Sequence, residues 1–109
     1  MKVEQFKATN QFRITDLYKN VLQSYKSKVV EITENPGCVQ TIILGRDWDY
    51  STTTSKYVYM FLEEYSKISF IGVNNKRKYI NDLLEDCKKE YKEFIDKHNF
   101  IIIYDEDMV

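Results

Sequence analysis

Five consecutive hydroxyl residues, Ser51, Thr52, Thr53, Thr54 and Ser55, stand between the aromatic pair Trp48/Tyr50 and Lys56. At a helix start this composition offers two kinds of chemistry. One hydroxyl can accept a hydrogen bond from an orphan backbone N–H and cap the helix. Alternatively, the N–H groups and hydroxyls of Ser51, Thr52 and Thr53, with Lys56 in the first turn, can hold a phosphate or carboxylate. Capping is the default reading, because no glycine-rich phosphate loop precedes the run. Three threonines are also poor helix formers, so a strand running on through Thr52 is a further alternative.

The other reactive residue types offer less. Lys76, Arg77 and Lys78 form the best basic run and could meet nucleic-acid phosphates, though Glu85, Asp86 and Glu90 interrupt the lysines that follow. His98 is the only histidine, and no motif supplies the orienting partner that acid–base work requires. Asp47, Asp49 and the acids at 105–107 lack the spacing of a calcium loop and any histidine partner. No catalytic, cofactor or metal site is expected. Nine tyrosines and Trp48 are too many large rings for one small core to hide, and exposed rings are typical interface anchors. Trp48, Tyr50 and Tyr59, with Lys56, are the candidate partner-binding set. Tyr59 stands opposite the apolar stripe of its helix and is the first choice for an outward anchor.

These residues must be positioned by a single domain, because 109 residues leave no room for a second core. A net charge of −1 argues against both a dedicated duplex-DNA binder and an acidic DNA mimic. The sequence reads as a soluble cytoplasmic protein with no signal peptide and no membrane span. Cys38 and Cys87 are expected to be reduced, buried thiols.

Apolar spacing predicts a first helix at about 15–27, with Thr15 as N-cap and Leu17, Tyr18, Val21, Leu22 and Tyr25 on its buried face. Strands are expected at 28–33 and 38–44, joined through Pro36–Gly37, with Trp48 and Tyr50 on a short third strand. The second helix is expected at 52–66, and 67–73 reads as a strand or a helix tail. Ile80, Leu84, Cys87, Tyr91, Phe94 and His98 form a seam of period 3.5 on a last helix over 75–98, capped by Asn74 or Asn75 and ended by Asn99. That seam at 80–98 could also pair two copies, so monomer and homodimer both stand. Residues 100–104 read as a strand buried on both faces. The expected fold is α+β: a small, mostly antiparallel sheet of three to five strands with about three helices packed on one face.

The stretch "WDYSTTTSKYVYMFL", Trp48 to Leu62, resembles a Trp-Asp-Tyr-Ser-x-Thr-Thr-Ser-Lys-Tyr/His segment of small uncharacterised phage and prophage proteins from low-GC Gram-positive bacteria. The resemblance implies a mobile-element origin and a non-enzymatic protein that binds a host protein. Inhibition of a host defence system by steric occlusion, as anti-CRISPR proteins achieve, is the mode it suggests. The competing expectation is a nucleic-acid or nucleotide binder using the helix start at 51–56 and the basic run at 76–78.

Overall fold

The structure, a computed structural model, describes residues 1–109. The chain opens with a five-stranded antiparallel meander: β1 (Lys2–Gln5), β2 (Gln11–Asp16), β3 (Lys19–Ser24), β4 (Ser27–Glu34) and β5 (Gln40–Gly45). Three helices follow, α1 (Thr52–Tyr65), α2 (Lys76–Lys89) and α3 (Tyr91–His98). They form the long crossover that a parallel neighbour requires, and β6 (Phe100–Asp105) then pairs parallel to β5. Strand order in the sheet is β1-β2-β3-β4-β5-β6. The α+β class is as expected, with six strands where three to five were anticipated.

Strand β3 and the end of β2 occupy the stretch read as a first helix. Thr15, the expected cap, pairs with Asn20 in a β2–β3 hairpin. Val21 and Leu22 are buried on opposite faces of β3, while Leu17, Tyr18 and Tyr25 sit exposed in the turns at its two ends. A two-residue turn, a six-residue strand and another turn therefore reproduced the i, i+3, i+4 spacing of a helix. Tyr25 adopts φ 56°, which a helix would not allow.

Period-2 alternation sends Leu22, Val30, Ile32, Ile42, Leu44, Phe100 and Ile102 to one face of the sheet. There they pack against Val58, Phe61 and Leu62 of α1, Ile80, Leu83 and Cys87 of α2, and Phe94 of α3. A bulge where β4 passes Leu22/Gln23 inserts Val29, so Val29 and Val30 both enter this core. The opposite face carries a cross-strand row of Val3, Ile14, Val21, Glu31, Ile43 and Ile103. It stays partly solvated, as an antiparallel sheet permits, and Lys19 pairs with the carboxylate of that row, Glu31, at 3.2 Å.

Four further expectations are corrected. Residues 67–73 are neither strand nor helix; they are a loop whose Ile68 and Phe70 plug into the core. The helix at 75–98 is two helices, broken at Glu90 (φ −131°, ψ 61°). The break lets α3 turn back over the sheet and leaves Tyr91, an expected seam residue, exposed; within α2, Leu83 is buried where the seam had Leu84, which is only half-buried. Strand β6 is an edge strand, so Ile103 and Tyr104 are exposed and the run is not buried on both faces. Both cysteines are free, but Cys38 lies exposed in the β4–β5 turn, where Gly37 supplies the positive φ of 83°; Cys87 is buried as expected.

Candidate functional site

The turn between β5 and α1 decides which aromatic faces outward. Trp48 N–H donates to Gly45 O (3.1 Å) and Tyr50 N–H to Asp47 O (3.1 Å). This tight winding, in place of the expected third strand, turns Trp48 into the core at 3% exposure and leaves Tyr50 out at 81%. Trp48 is therefore not an outward anchor. The ring of Tyr59 is half-buried, edge-on to Trp48 (6.4 Å) and Phe70 (5.5 Å). Burial raises the Tyr59 phenol above its ordinary value, against the lowering effect of a hydrogen bond with Ser55.

The hydroxyl run mainly builds the helix start. Ser51, in extended geometry, caps α1 by accepting from Thr54 N–H at 3.1 Å, and its own hydroxyl donates to Thr54 Oγ1 at 3.2 Å. Thr54 is buried and reaches Ser24 Oγ (3.4 Å), which accepts from buried Gln11 Nε2 (3.0 Å). A chain of polar side chains thus fixes the α1 start to strands β2 and β3. Ser55 donates back to Ser51 O at 2.8 Å. Thr52 and Thr53 remain solvent-exposed.

The loop at 66–75 then folds the start of α2 against the first half of α1. Its path is fixed by buried Gln40, whose Oε1 accepts from Lys67 N–H (2.8 Å), and by Ser66 Oγ, which donates to Leu62 O (2.6 Å). Asn75 caps α2 by accepting from Lys78 N–H at 3.0 Å. The result is an open cleft of about 640 Å³. Tyr50, Tyr59 and Met60 supply its aromatic and apolar surface, Ser51, Thr52 and Ser55 its hydroxyls, and Lys56, Lys76 and Arg77 its cations. Arg77 pairs with Asp49 at 2.8 Å across the cleft. Lys76 lies over Phe70 (5.5 Å) and Tyr59 (6.0 Å), and Lys56 over Tyr57 (5.6 Å). Two helix N-termini flank these three cations, so the cleft carries a local positive field although the whole chain is nearly neutral.

The three candidate sets therefore converge. Tyr50, Tyr59 and Lys56, Ser51 and Thr52, and Lys76 and Arg77 share one cleft. Thr53 does not line it, and Lys78 turns away to Asp82 at 2.9 Å. Asp49 and Met60 were missed, since only the fold brings Asp49 to Arg77. Asp47 is a structural acid: hydrogen bonds from Ser27 (2.8 Å) and Arg46 hold its carboxyl below the ordinary range. His98 packs between Phe94 and Phe100, with ring centroids at 4.4 and 5.3 Å, and burial lowers its pKa. No group of three or more His, Cys, Asp or Glu is placed to hold a metal, and no helix is long and apolar enough to cross a membrane.

No curated protein and no solved structure matches the chain. The model of one protein family, described as a family of unknown function (DUF8033), matches residues 1–81, about three quarters of the length, and the chain belongs to that family.

Proposed function

We propose that this is a non-enzymatic binding protein that docks a host protein at the α1–α2 cleft and acts by occluding the surface it covers. The carrying observation is the side-chain mixture there. Exposed Tyr50, half-buried Tyr59 and Met60 stand beside Lys56, Lys76 and Arg77. Tyr and Arg dominate interface hot spots, and Met is enriched at interface cores. Lys56 and Lys76 call for carboxylates on the partner, Arg77 being paired with Asp49 at 2.8 Å, and the half-buried Tyr59 gives it a rigid ring to pack on. Every cleft residue lies within residues 1–81, the stretch matched by the family. The likeness of Trp48–Leu62 to phage and prophage segments supports a host target, with a defence protein as the proposed class.

A second reading rests on the same cations. Lys56, Lys76 and Arg77 at two helix starts also suit the phosphates of a nucleic acid. A photo-crosslinking amino acid in place of Tyr50, activated in host extract, separates the two. The expected product is a discrete protein adduct that survives nuclease, is absent with the crosslinker at exposed Leu17 in the β2–β3 turn, and disappears in Lys76→Glu/Arg77→Glu. A nuclease-sensitive adduct whose yield collapses between low and moderate salt would replace the protein reading with the nucleic-acid one. No adduct dependent on Lys76 and Arg77 would remove both.

A further inference from the structure

The two edges of the sheet are built differently. At one edge, β1 has four residues, and its Lys2 and Glu4 are charged, with Glu4 paired to Arg13 at 2.8 Å. Short, charged edges resist pairing with other chains. At the other edge, β6 is six residues long and reads Phe-Ile-Ile-Ile-Tyr-Asp, with no lysine or proline. No further strand pairs with its outer side. Gln40 N–H donates to Asn99 O (3.1 Å), and Gln40 sits opposite Phe100 in the parallel ladder. Alternation then commits Ile101, Ile103 and Asp105 to β5 and turns the N–H and C=O groups of Phe100, Ile102 and Tyr104 outward. Beside this edge runs a groove of about 480 Å³ lined by Leu84, Cys87, Tyr91, Ile102, Ile103 and Tyr104. Tyr91, Ile103 and Tyr104 are 52%, 44% and 47% exposed, so an unpaired backbone edge and an apolar groove coincide.

We propose that β6 pairs antiparallel with β6 of a second copy, about a twofold axis beside Ile102, so that two sheets become one. This register sets Ile102 opposite the partner's Ile102 and Phe100 opposite the partner's Tyr104. All three outward-facing residues then form pairs that exchange two hydrogen bonds each, roughly six across the seam. The grooves meet over the axis and bury Tyr91 and Tyr104 of both copies. Charge selects a second copy over a foreign strand. The acidic turn Asp105–Glu106–Asp107 at the end of β6 falls beside the partner's Lys97, which leads into its β6, and symmetry repeats the match. A foreign segment would have to supply both the apolar stripe and a basic end, and this chain carries both on one surface. The interface is isologous, closes on itself, and leaves the α1–α2 cleft free.

Sedimentation velocity on the full chain across the micromolar range tests this, with a concentration-dependent dimer expected. Tyr104→Pro removes only an outward-facing N–H, a substitution edge strands tolerate, and should give a folded monomer by circular dichroism. In a Cys38→Ser background, Ile101→Cys and Ile103→Cys proteins should form a disulfide-linked dimer when mixed. Residues 101 and 103 face each other in the proposed register at about 4.5 Å between Cα atoms, within disulfide reach. Neither protein should cross-link alone. If Tyr104→Pro unfolds, the cross-linking pattern decides. A wild-type protein that stays monomeric, a dimer that persists in folded Tyr104→Pro, or cross-linking as efficient in the single samples as in the mixture overturns the proposal.

Discussion

Replacing Ser51 with Ala separates a helix cap from an anion site. Ser51 Oγ accepts from Thr54 N–H at 3.1 Å and donates to Thr54 Oγ1 at 3.2 Å, and Thr54 is buried. Losing a Ser cap costs about 0.5–2 kcal/mol. The upper half of that range applies, because the orphaned N–H cannot reach bulk water, although Ser24 Oγ at 3.4 Å still serves the Thr54 hydroxyl. Expected destabilisation is about 1–2 kcal/mol, a fall in Tm of roughly 4–9 °C for a chain of this size. Ser51→Asp should restore most of it, since Asp caps as well as Ser. Thr52→Ala and Thr53→Ala, at exposed positions, should stay within about 0.5 kcal/mol. Thermal melts with and without inorganic phosphate complete the assay. A resident anion site would raise Tm in proportion to ln(1 + [phosphate]/Kd) and lose that gain in Thr52→Ala. The capping argument is refuted if Ser51→Ala melts with the wild type while Thr52→Ala does not.

Two more outcomes follow from the packing. Burial, and secondarily Lys97, hold the folded His98 pKa below its unfolded value near 6.5. Between those values the unfolded chain binds more protons, so stability is full at higher pH and declines as pH falls through 6.5. Tm should therefore drop between roughly pH 7 and pH 5 by more in the wild type than in His98→Gln; parallel curves would refute the assignment. A Cβ at Gly45 would lie 2.5 Å from Lys28 O and 2.6 Å from Met108 O, both backbone atoms with little room to yield. Gly45→Ala should cost at least about 1–3 kcal/mol in urea denaturation, and an unchanged midpoint would mean that the C-terminal turn does not pack there.

The elements that read correctly were those whose local chemistry and tertiary surroundings agree. The Pro36–Gly37 turn, the Ser51 and Asn75 caps and the left-handed Asn99 (φ 60°, ψ 28°) are all present. Each is settled within four residues of sequence. The misreadings arose where two periods fit one short window. Leu17 to Tyr25 matched a helix because Leu17, Tyr18 and Tyr25 were counted as core residues; they are turn residues, and their exposure costs little once Val21 and Leu22 fill the two faces of β3. The seam from Ile80 to His98 concealed a break because Glu90 fits a helix by propensity. Only the need to return the chain parallel to β5 bends it there, and that need is invisible in the window itself.

The site was legible as residue types and illegible as a place. Tyr50, Ser51, Thr52, Lys56 and Tyr59 could be picked out because hydroxyls, rings and a lysine cluster within ten positions. Lys76 and Arg77 stood out separately as a basic run. Nothing in either segment predicts that they meet. The meeting depends on the loop at 66–75, whose Ile68 and Phe70 bury while Gln40, on a strand 27 residues earlier, takes the Lys67 N–H. The same loop explains why Trp48 was misjudged. Tyr59 packs edge-on to Trp48 and Phe70 backs Tyr59, and in the sequence alone a Trp inside a turn looks exposed. The proposed recognition and the fold thus draw on one set of contacts. Phe70 supports Tyr59 from below and carries Lys76 on its face, so the cleft's cation and its ring are held in register by a buried residue.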